Sequence, residues 1–190
     1  RFIDMYTTQD FRNGLKIEFE GEPYIIVEFQ HVKPGKGGAF VRTKIKNLIT
    51  GRLLDPTFKS GDKFGKPDVE EKEMQFSYMD GDHYAFMDTK TYEQTPIEAS
   101  ALGDNARWLR EGCVCQIVFW DGRPIDVQLP NFVELRIVEC EPGVRGDTAT
   151  GATKPAKLES GAMVNVPLFV NEGDVIRIDT RSSSYVTRVG

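Results

Sequence analysis

The sequence has 190 residues, of which 39% are hydrophobic and 28% are charged, which suits one ordinary domain or two or three small ones and excludes wholesale disorder. No apolar run approaches the roughly 20 residues that a membrane-spanning helix needs, and the first residues lack the pattern of a secretory signal. We therefore expect a cytoplasmic protein with no membrane partner.

The net charge of −5 is distributed unevenly. Residues 1–66 carry 12 lysines and arginines against 8 aspartates and glutamates, a net charge of +4. Residues 67–131 carry 5 against 13, a net charge of −8, and residues 132–190 carry 7 against 8, a net charge of −1. Because local charge steers a polyanion, a nucleic-acid partner is expected to meet the N-terminal third first.

Short runs of β-branched and aromatic residues recur along the chain, from "EPYIIVEFQHV" near the start to "SYVTRV" at the end. They are separated by Gly, Pro, Asn and Asp, and no long amphipathic helix is present to cover a parallel sheet. The pattern predicts an all-β fold of small barrels or sandwiches. One segment, "GDNARWLREG", predicts a short helix with Asp104 as its N-cap and Gly112 as its stop, which would plug a barrel end.

Two polar segments predict domain boundaries. "SGDKFGKPD" at residues 60–68 contains two glycines and a proline, and the charge balance reverses just after it. Pro130 and Asn131 separate two later strand runs. The sequence thus predicts three small domains over residues 1–66, 67–130 and 131–190.

The stretch "HVKPGKGGAF" lies between two predicted strands and predicts a hairpin with a loop over residues 33–39. A proline fixes its own φ angle and glycines keep the backbone thin, so the loop can enter a narrow cleft. Lys36 is the one long side chain that such a tip would carry there. The residues that shape the loop are Pro34, Gly35, Gly37 and Gly38.

The strand after this loop has two different faces by the period-two rule. Val41, Thr43 and Ile45 share the face that can pack inward. The other face carries Phe40, Arg42, Lys44 and Lys46. Together with the loop lysines this is the densest positive cluster of the chain, and it could follow a phosphate backbone. The candidate phosphate contacts are Lys33, Arg42, Lys44 and Lys46. The alternative interpretation is a solvated strand face beside a mobile turn.

Other motifs do not favour catalysis or a metal site. "PGKGGAF" lacks the spacing of a phosphate-binding P-loop, and "MDGDHY" at residues 79–84 is a hairpin-turn signal without a third carboxylate ligand. Cys113 and Cys115 alternate in "CVCQIVFW" and are expected to be buried thiols, and a third, odd cysteine argues against a disulfide framework. No serine–histidine or paired-carboxylate arrangement is present, so we expect no catalytic residue and no enzyme.

Several motifs resemble bacterial elongation factor P, a relative of the archaeal and eukaryotic initiation factor five-A. The resemblance covers essentially the whole chain from Met5. It is carried by "DFRNGLKI", "VKPGKGGAFVRTK", "TFKSGDK", "GDNARWL" and "PNFVELRIVECEPGVRGDTATGATKPA".

This resemblance implies an L-shaped molecule of tRNA-like size, with an SH3-like or KOW-like N-terminal barrel and two OB-fold barrels. It further implies a monomer that binds the 70S ribosome between the P and E sites. There the factor positions the CCA end of peptidyl-tRNA and stimulates peptide-bond formation at consecutive-proline stalls.

The resemblance also implies roles for individual residues. Lys36 corresponds to the loop lysine, which partner enzymes extend by a β-lysyl group or otherwise modify, including by hydroxylation, and no separate cofactor is implied. The loop that approaches the mRNA codon in the E site corresponds to Gly146, Asp147 and Thr148. Contacts to tRNA or the small subunit correspond to Arg181, Tyr185 and Arg188, whose alternative interpretation is a solvated hairpin.

Two further functions remain open on the sequence. One is a general single-strand RNA-binding module, which would need exposed aromatic side chains on one sheet as stacking platforms. Tyr84, Phe86 and Phe119 are the candidates, although alternation equally places them in the core. The other is the elongation-factor-P-like paralogue.

Overall fold

The computed structural model describes residues 4–143 and 151–190. Within these residues the chain is almost entirely β, as the sequence predicts, and three curled antiparallel sheets of five strands each account for most of it. The N-terminal strands are β1 (Met5–Thr7), β2 (Lys16–Phe19), β3 (Glu22–Val32), β4 (Phe40–Asn47), β5 (Leu53–Leu54), β6 (Thr57–Lys59) and β7 (Lys63–Gly65).

The N-terminal sheet has the order β2-β3-β4-β5, with β6 also paired to β4, while β1 pairs with β7. Its core is rich in aromatic side chains because the inward positions of short, strongly curved strands need large groups to fill the interior. Phe11, Phe58 and Phe64 contact one another there, with ring centroids 4.7 Å to 6.0 Å apart. This packing fixes the base from which the hairpin between β3 and β4 extends.

The second sheet has the order β10-β9-β8-β11-β12. Its strands are β8 (Val69–Asp80), β9 (His83–Asp88), β10 (Gln94–Glu98), β11 (Val114–Trp120) and β12 (Arg123–Gln128). Asp80 pairs with His83 across a tight turn in which Gly81 has a φ of 61°. The interpretation of "MDGDHY" as a hairpin turn is therefore confirmed.

The third sheet has the order β15-β14-β13-β16-β17. Its strands are β13 (Phe132–Cys140), β14 (Thr153–Leu158), β15 (Met163–Pro167), β16 (Val175–Asp179) and β17 (Ser184–Val189). The core of this sheet is aliphatic and includes the fully buried Leu135, Val166 and Ile176. Trp108, from outside the sheet, belongs to the same core.

The predicted helix is displaced from its expected position. The helix α1 spans Ala99–Leu102 and a 3-10 helix follows over Gly103–Trp108, so the prediction of Asp104 as an N-cap is wrong. Gly103 has a φ of 55° and its N–H donates to the carbonyl of Ala99. This left-handed glycine ends the first helical turn.

The described residues divide into two compact units. One comprises residues 4–71 and 118–126, and the other comprises residues 72–117, 127–143 and 151–190. The three-domain boundaries at residues 66 and 130 stay a prediction. Within the described part of the chain, no helix is long and apolar enough to cross a membrane.

Candidate nucleic-acid interface

The glycine-rich hairpin predicted from the sequence is present. Strands β3 and β4 pair as far as Val32 and Phe40, which leaves residues 33–39 as the loop. Gly37 has a φ of 98°, a conformation that residues with a Cβ atom rarely adopt. A Cβ added at Gly37 or Gly38 would meet no atom within 4 Å, so the loop packs against nothing at these points.

Lys36 is exposed at the tip of this loop. It forms no hydrogen bond or ion pair with any residue in the ranges 4–143 and 151–190, and neither does the exposed Lys33. If the Lys36 amine were held in an ion pair on the barrel, it could not reach another molecule. Because it is not, the side chain is free to contact a binding partner.

The two faces of β4 follow the predicted alternation. Val41, Thr43 and Ile45 are 0%, 5% and 0% exposed and belong to the interior. On the other face, Arg42 and Lys46 are exposed, and the Arg42 guanidinium lies 5.7 Å from the centroid of the Phe40 ring. This face is therefore basic and accessible beside the root of the loop.

Lys44 differs from the other cations of β4 because it has an acidic partner. Its Nζ lies 3.7 Å from Glu28 Oε2. A β-bulge between Ile26 and Glu28 shifts the register of β3, so that Glu28 is opposite Lys44. Without the shift, continuation of the Ile26–Ile45 pairing would place Glu28 opposite the buried Thr43. The sequence did not predict the Lys44–Glu28 ion pair because no sequence signal locates the β-bulge.

A groove of about 710 Å³ lies along this surface. Its lining combines the cations Arg42 and Lys44 with the carboxylates of Glu28 and Asp55. The basic surface is therefore interrupted by acidic groups. Lys33, Lys36, Arg42 and Lys46, also in or beside the loop, have no carboxylate partner among the described residues.

The C-terminal candidates lie at the end of β16 and along β17, and both arginines have acidic partners. Arg181 binds Asp179 at 2.9 Å and lies over the Phe132 ring, and this guanidinium holds the pKa of Asp179 below its usual value. Arg188 lies 3.7 Å from Asp174. Tyr185 is half-buried against the C-terminal core. Arg181 and Arg188 would have to exchange or share these partners to bind phosphate.

Gly146, Asp147 and Thr148, which are predicted to approach the E-site codon, lie outside the described residues. The chain on either side is tightly held. Lys154 is buried and its Nζ donates to the carbonyl of Glu141 at 2.7 Å. A Cβ added at Gly143 would lie 2.8 Å from the carbonyl oxygen of Leu168.

The three aromatic residues named as candidates for a general RNA-binding module are not exposed on the second sheet. Phe86 and Phe119 are buried in the core, and Tyr84 is half-buried against Phe76 with ring centroids 5.7 Å apart. The stacking platform proposed for these residues is therefore absent. Among the residues that the structure describes, no group of three or more histidine, cysteine, aspartate or glutamate side chains could hold a metal ion.

Three family models match the chain in succession. They are described as the elongation factor P KOW-like domain, over residues 7–64, the elongation factor P OB domain, over residues 69–127, and the elongation factor P C-terminal domain, over residues 133–188. Together with the curled sheets, they define an all-β protein of small barrels with KOW-like and OB domains. The fold class predicted from the sequence is confirmed in these respects.

Close relatives identify the family. The chain is 51% identical over 185 residues to elongation factor P of Pelotomaculum thermopropionicum, covering 97% of this chain and 100% of that protein. It is 53% identical over 184 residues to elongation factor P of Desulfovibrio desulfuricans, with the same coverage of 97% and 100%. The chain belongs to the elongation factor P family and is a translation elongation factor.

A solved structure shares the fold at lower identity. The eukaryotic translation initiation factor 5A from Methanococcus jannaschii superposes with a TM-score of 0.53 at 20% identity, over 66% of this chain and 92% of that chain. The similarity to an initiation factor 5A, which the sequence motifs also indicate, is confirmed at the level of the fold.

Proposed function

We propose that this chain binds the 70S ribosome between the P and E sites, holds the CCA end of peptidyl-tRNA and stimulates peptide-bond formation at consecutive prolines. The observation that carries the proposal is Lys36, exposed and without a partner among the described residues, at the tip of a loop of minimal bulk. The factor acts as a monomer in the cytoplasm, and its partners are the ribosome, peptidyl-tRNA and the mRNA codon in the E site.

The mechanism is positional. A nascent chain with several prolines is conformationally restricted and holds peptidyl-tRNA in an unreactive geometry. Fixing the CCA end restores a near-attack arrangement, and orientation alone can offset several kcal/mol of a barrier. The ribosome carries out the chemistry, so the factor is not itself an enzyme.

The surface around β4 supports this role. Lys33, Arg42 and Lys46 are exposed beside the loop and would hold the acceptor arm through phosphates, which position a nucleic acid without reading its sequence. Lys44 would join them after exchanging Glu28 for a phosphate. Arg181, Tyr185 and Arg188 form the second contact, and Gly146, Asp147 and Thr148 approach the codon.

We further propose that enzymes extend Lys36 with a β-lysyl or a related group, with or without hydroxylation. Lengthening the side chain would carry hydrogen-bond donors deeper into the ribosomal site. An intact-mass measurement of the protein purified from its natural source tests this, followed by peptide mapping. A mass equal to that of the unmodified sequence would contradict the extension.

The decisive experiment is translation of a proline-run reporter in a purified system. Wild type should relieve the stall, whereas Lys36→Ala and the triple charge reversal of Arg42, Lys44 and Lys46 should not. Lys90→Ala, which removes an exposed lysine from the β9–β10 turn, is the matched control and should act like wild type. Equal stalling with all four proteins and without any factor would overturn the proposal.

A binding measurement separates this function from general RNA binding. The factor should bind ribosomes that carry peptidyl-tRNA and should show no comparable affinity for free single-stranded RNA. Tight binding to the free RNA, unaffected by Lys36→Ala, would favour the alternative module.

A further inference from the structure

A reactive-thiol arrangement lies in the segment "REGCVC" at residues 110–115. The N–H of Cys113 donates to the carbonyl of Arg110 at 2.9 Å and closes a tight turn, in which Gly112 has a φ of 88°. The turn brings Arg110 and Cys113 to the lining of the same cavity. Proximity of a cation is a feature that activates cysteines.

The second thiol of the segment completes the arrangement. Cys115 is 1% exposed, and Cys113, two residues before it, is half-buried. The interaction between the two thiols, assisted by Arg110, holds the pKa of Cys113 below its usual value, while the same interaction and burial raise the pKa of Cys115. Cys113 is the accessible thiol of the pair because it lines a cavity, whereas Cys115 is buried.

The cavity that Cys113 lines has a volume of about 380 Å³. Apolar side chains form much of its wall, and Arg110 and Glu134 contribute the charged groups. Glu134 is already bound to Arg177 at 3.0 Å, whereas Arg110 lies 3.9 Å from Glu159 with half of its side chain exposed. The apolar wall is formed by Trp108, Pro130, Phe132 and Leu135. The cavity therefore suits a small group that carries a carboxylate.

We propose that Cys113 is a modification site for low-molecular-weight disulfides, and that the cavity receives the attached group with its carboxylate directed to Arg110. The Cys113 thiolate attacks one sulfur of the disulfide, a new S–S bond forms as the old one breaks, and the leaving thiolate takes up the proton that Cys113 released. Cys113 is oxidised, the small disulfide is reduced, and no further oxidant is required.

An internal Cys113–Cys115 disulfide is disfavoured by the strand β11, which begins at Val114 and contains Cys115. Residues two apart in a strand are about 6.6 Å apart between Cα atoms, close to the upper limit of about 6.8 Å for a disulfide. Closing the bond would also pull Cys113 away from Phe76, whose N–H donates to its carbonyl at 2.8 Å. The mixed disulfide needs no such movement.

The test treats the folded full-length chain with oxidised glutathione and follows the reaction by intact mass and peptide mapping. One adduct is expected, on Cys113, formed on the order of tenfold faster than any adduct on Cys140. Cys140 is the internal control because it is also half-buried, with its sulfur 3.9 Å from the carbonyl of Val170.

Two variants sharpen the result. Cys113→Ser should abolish the fast adduct, and Arg110→Gln should slow it several-fold while leaving the Cys140 rate unchanged, with circular dichroism confirming that both remain folded. If Cys113→Ser does not fold, the mapped position of the wild-type adduct and the adduct rate in Arg110→Gln still test the proposal. Equal rates at the two cysteines, no adduct, or loss of two hydrogens by internal disulfide formation would each overturn the proposal.

Discussion

Glycines serve two different purposes in this chain, and single substitutions separate them. At Gly143 an added Cβ would meet the backbone oxygen of Leu168 at 2.8 Å, and backbone cannot move aside cheaply. At Gly38 the added Cβ would meet nothing within 4 Å, and φ is not in the left-handed region. The first glycine is required for packing, and the second leaves the loop thin.

Gly143→Ala should therefore lower the free energy of unfolding by about 1–3 kcal/mol, the usual cost of overpacking. Gly38→Ala should leave it nearly unchanged. Urea denaturation of both variants measures the difference. Equal destabilisation would mean that the close approach of residue 143 to Leu168 does not exist in solution.

Asp88 gives a residue-scale prediction for pH. Its carboxylate accepts hydrogen bonds from the backbone N–H groups of Lys90 and Thr91, at 2.8 Å and 3.1 Å, and these bonds lower its pKa in the folded state. The stabilisation is present above the unfolded pKa of about 3.9 and is lost as the pH falls through the folded pKa. Asp88 should thus contribute to acid sensitivity.

Thermal melts between neutral and acidic pH test this contribution. Asp88→Asn should lose less stability on acidification than wild type does, because the titrating group is gone. Lys90→Ala keeps the backbone donor and removes only the smallest of the charge contributions to the Asp88 pKa, so it should follow the wild-type profile closely. A profile for Asp88→Asn that parallels wild type would contradict the assignment.

At the scale of elements, the short helical segment shows where packing decides the structure. Trp108 is 2% exposed and lies in the core of the third sheet, whereas its neighbour Arg107 is exposed and stacks on the indole at 4.8 Å. Trp108→Ala should cost about 3–5 kcal/mol of unfolding free energy. Arg107→Ala should cost far less, and urea denaturation compares the two. Similar losses would show that the segment is held by its surface contacts.

The same segment shows a limit of prediction from sequence. Its existence was predictable from Leu102 and Leu109, both of which are buried. Its start was not, because Gly103 ends one helical turn through a left-handed conformation instead of preceding the helix. A glycine beside an aspartate fits either a C-terminal stop or an N-terminal cap, and only the tertiary structure selects between them.

In the candidate site, too, some features were predictable from the sequence and others were not. Alternation in "FVRTKIKN" was sufficient to predict that Val41, Thr43 and Ile45 are buried and that Arg42 and Lys46 are exposed. Pairing across strands was not predictable, because it depends on the β-bulge near Glu28. Period-two reasoning describes one strand at a time, whereas the charge that a partner meets also depends on the neighbouring strand.

At the scale of the whole molecule, the charge of +4 on residues 1–66 and of −8 on residues 67–131 should make ribosome binding dependent on particular cations. Each phosphate contact adds about 0.7–0.9 to the slope of log affinity against log salt concentration. A lysine that contacts RNA should lower the slope by this amount when it is removed. A lysine that is already neutralised should lower it less.

Lys46→Gln and Lys44→Gln form the matched pair for this measurement, since both lie on the same face of β4 and, within residues 4–143 and 151–190, only Lys44 has a carboxylate within 4 Å. Lys46→Gln should reduce the slope by about the value of one phosphate contact. Lys44→Gln should reduce it by clearly less, because separating Lys44 from Glu28 offsets part of the attraction of Lys44 to phosphate.

Glu28→Gln removes the carboxylate partner of Lys44 and should therefore raise the affinity. In that background, Lys44→Gln should reduce the slope as much as Lys46→Gln does. If all three variants keep the wild-type slope, the face of β4 does not contact RNA, and the phosphate-binding role assigned to this strand is wrong even if Lys36 remains essential.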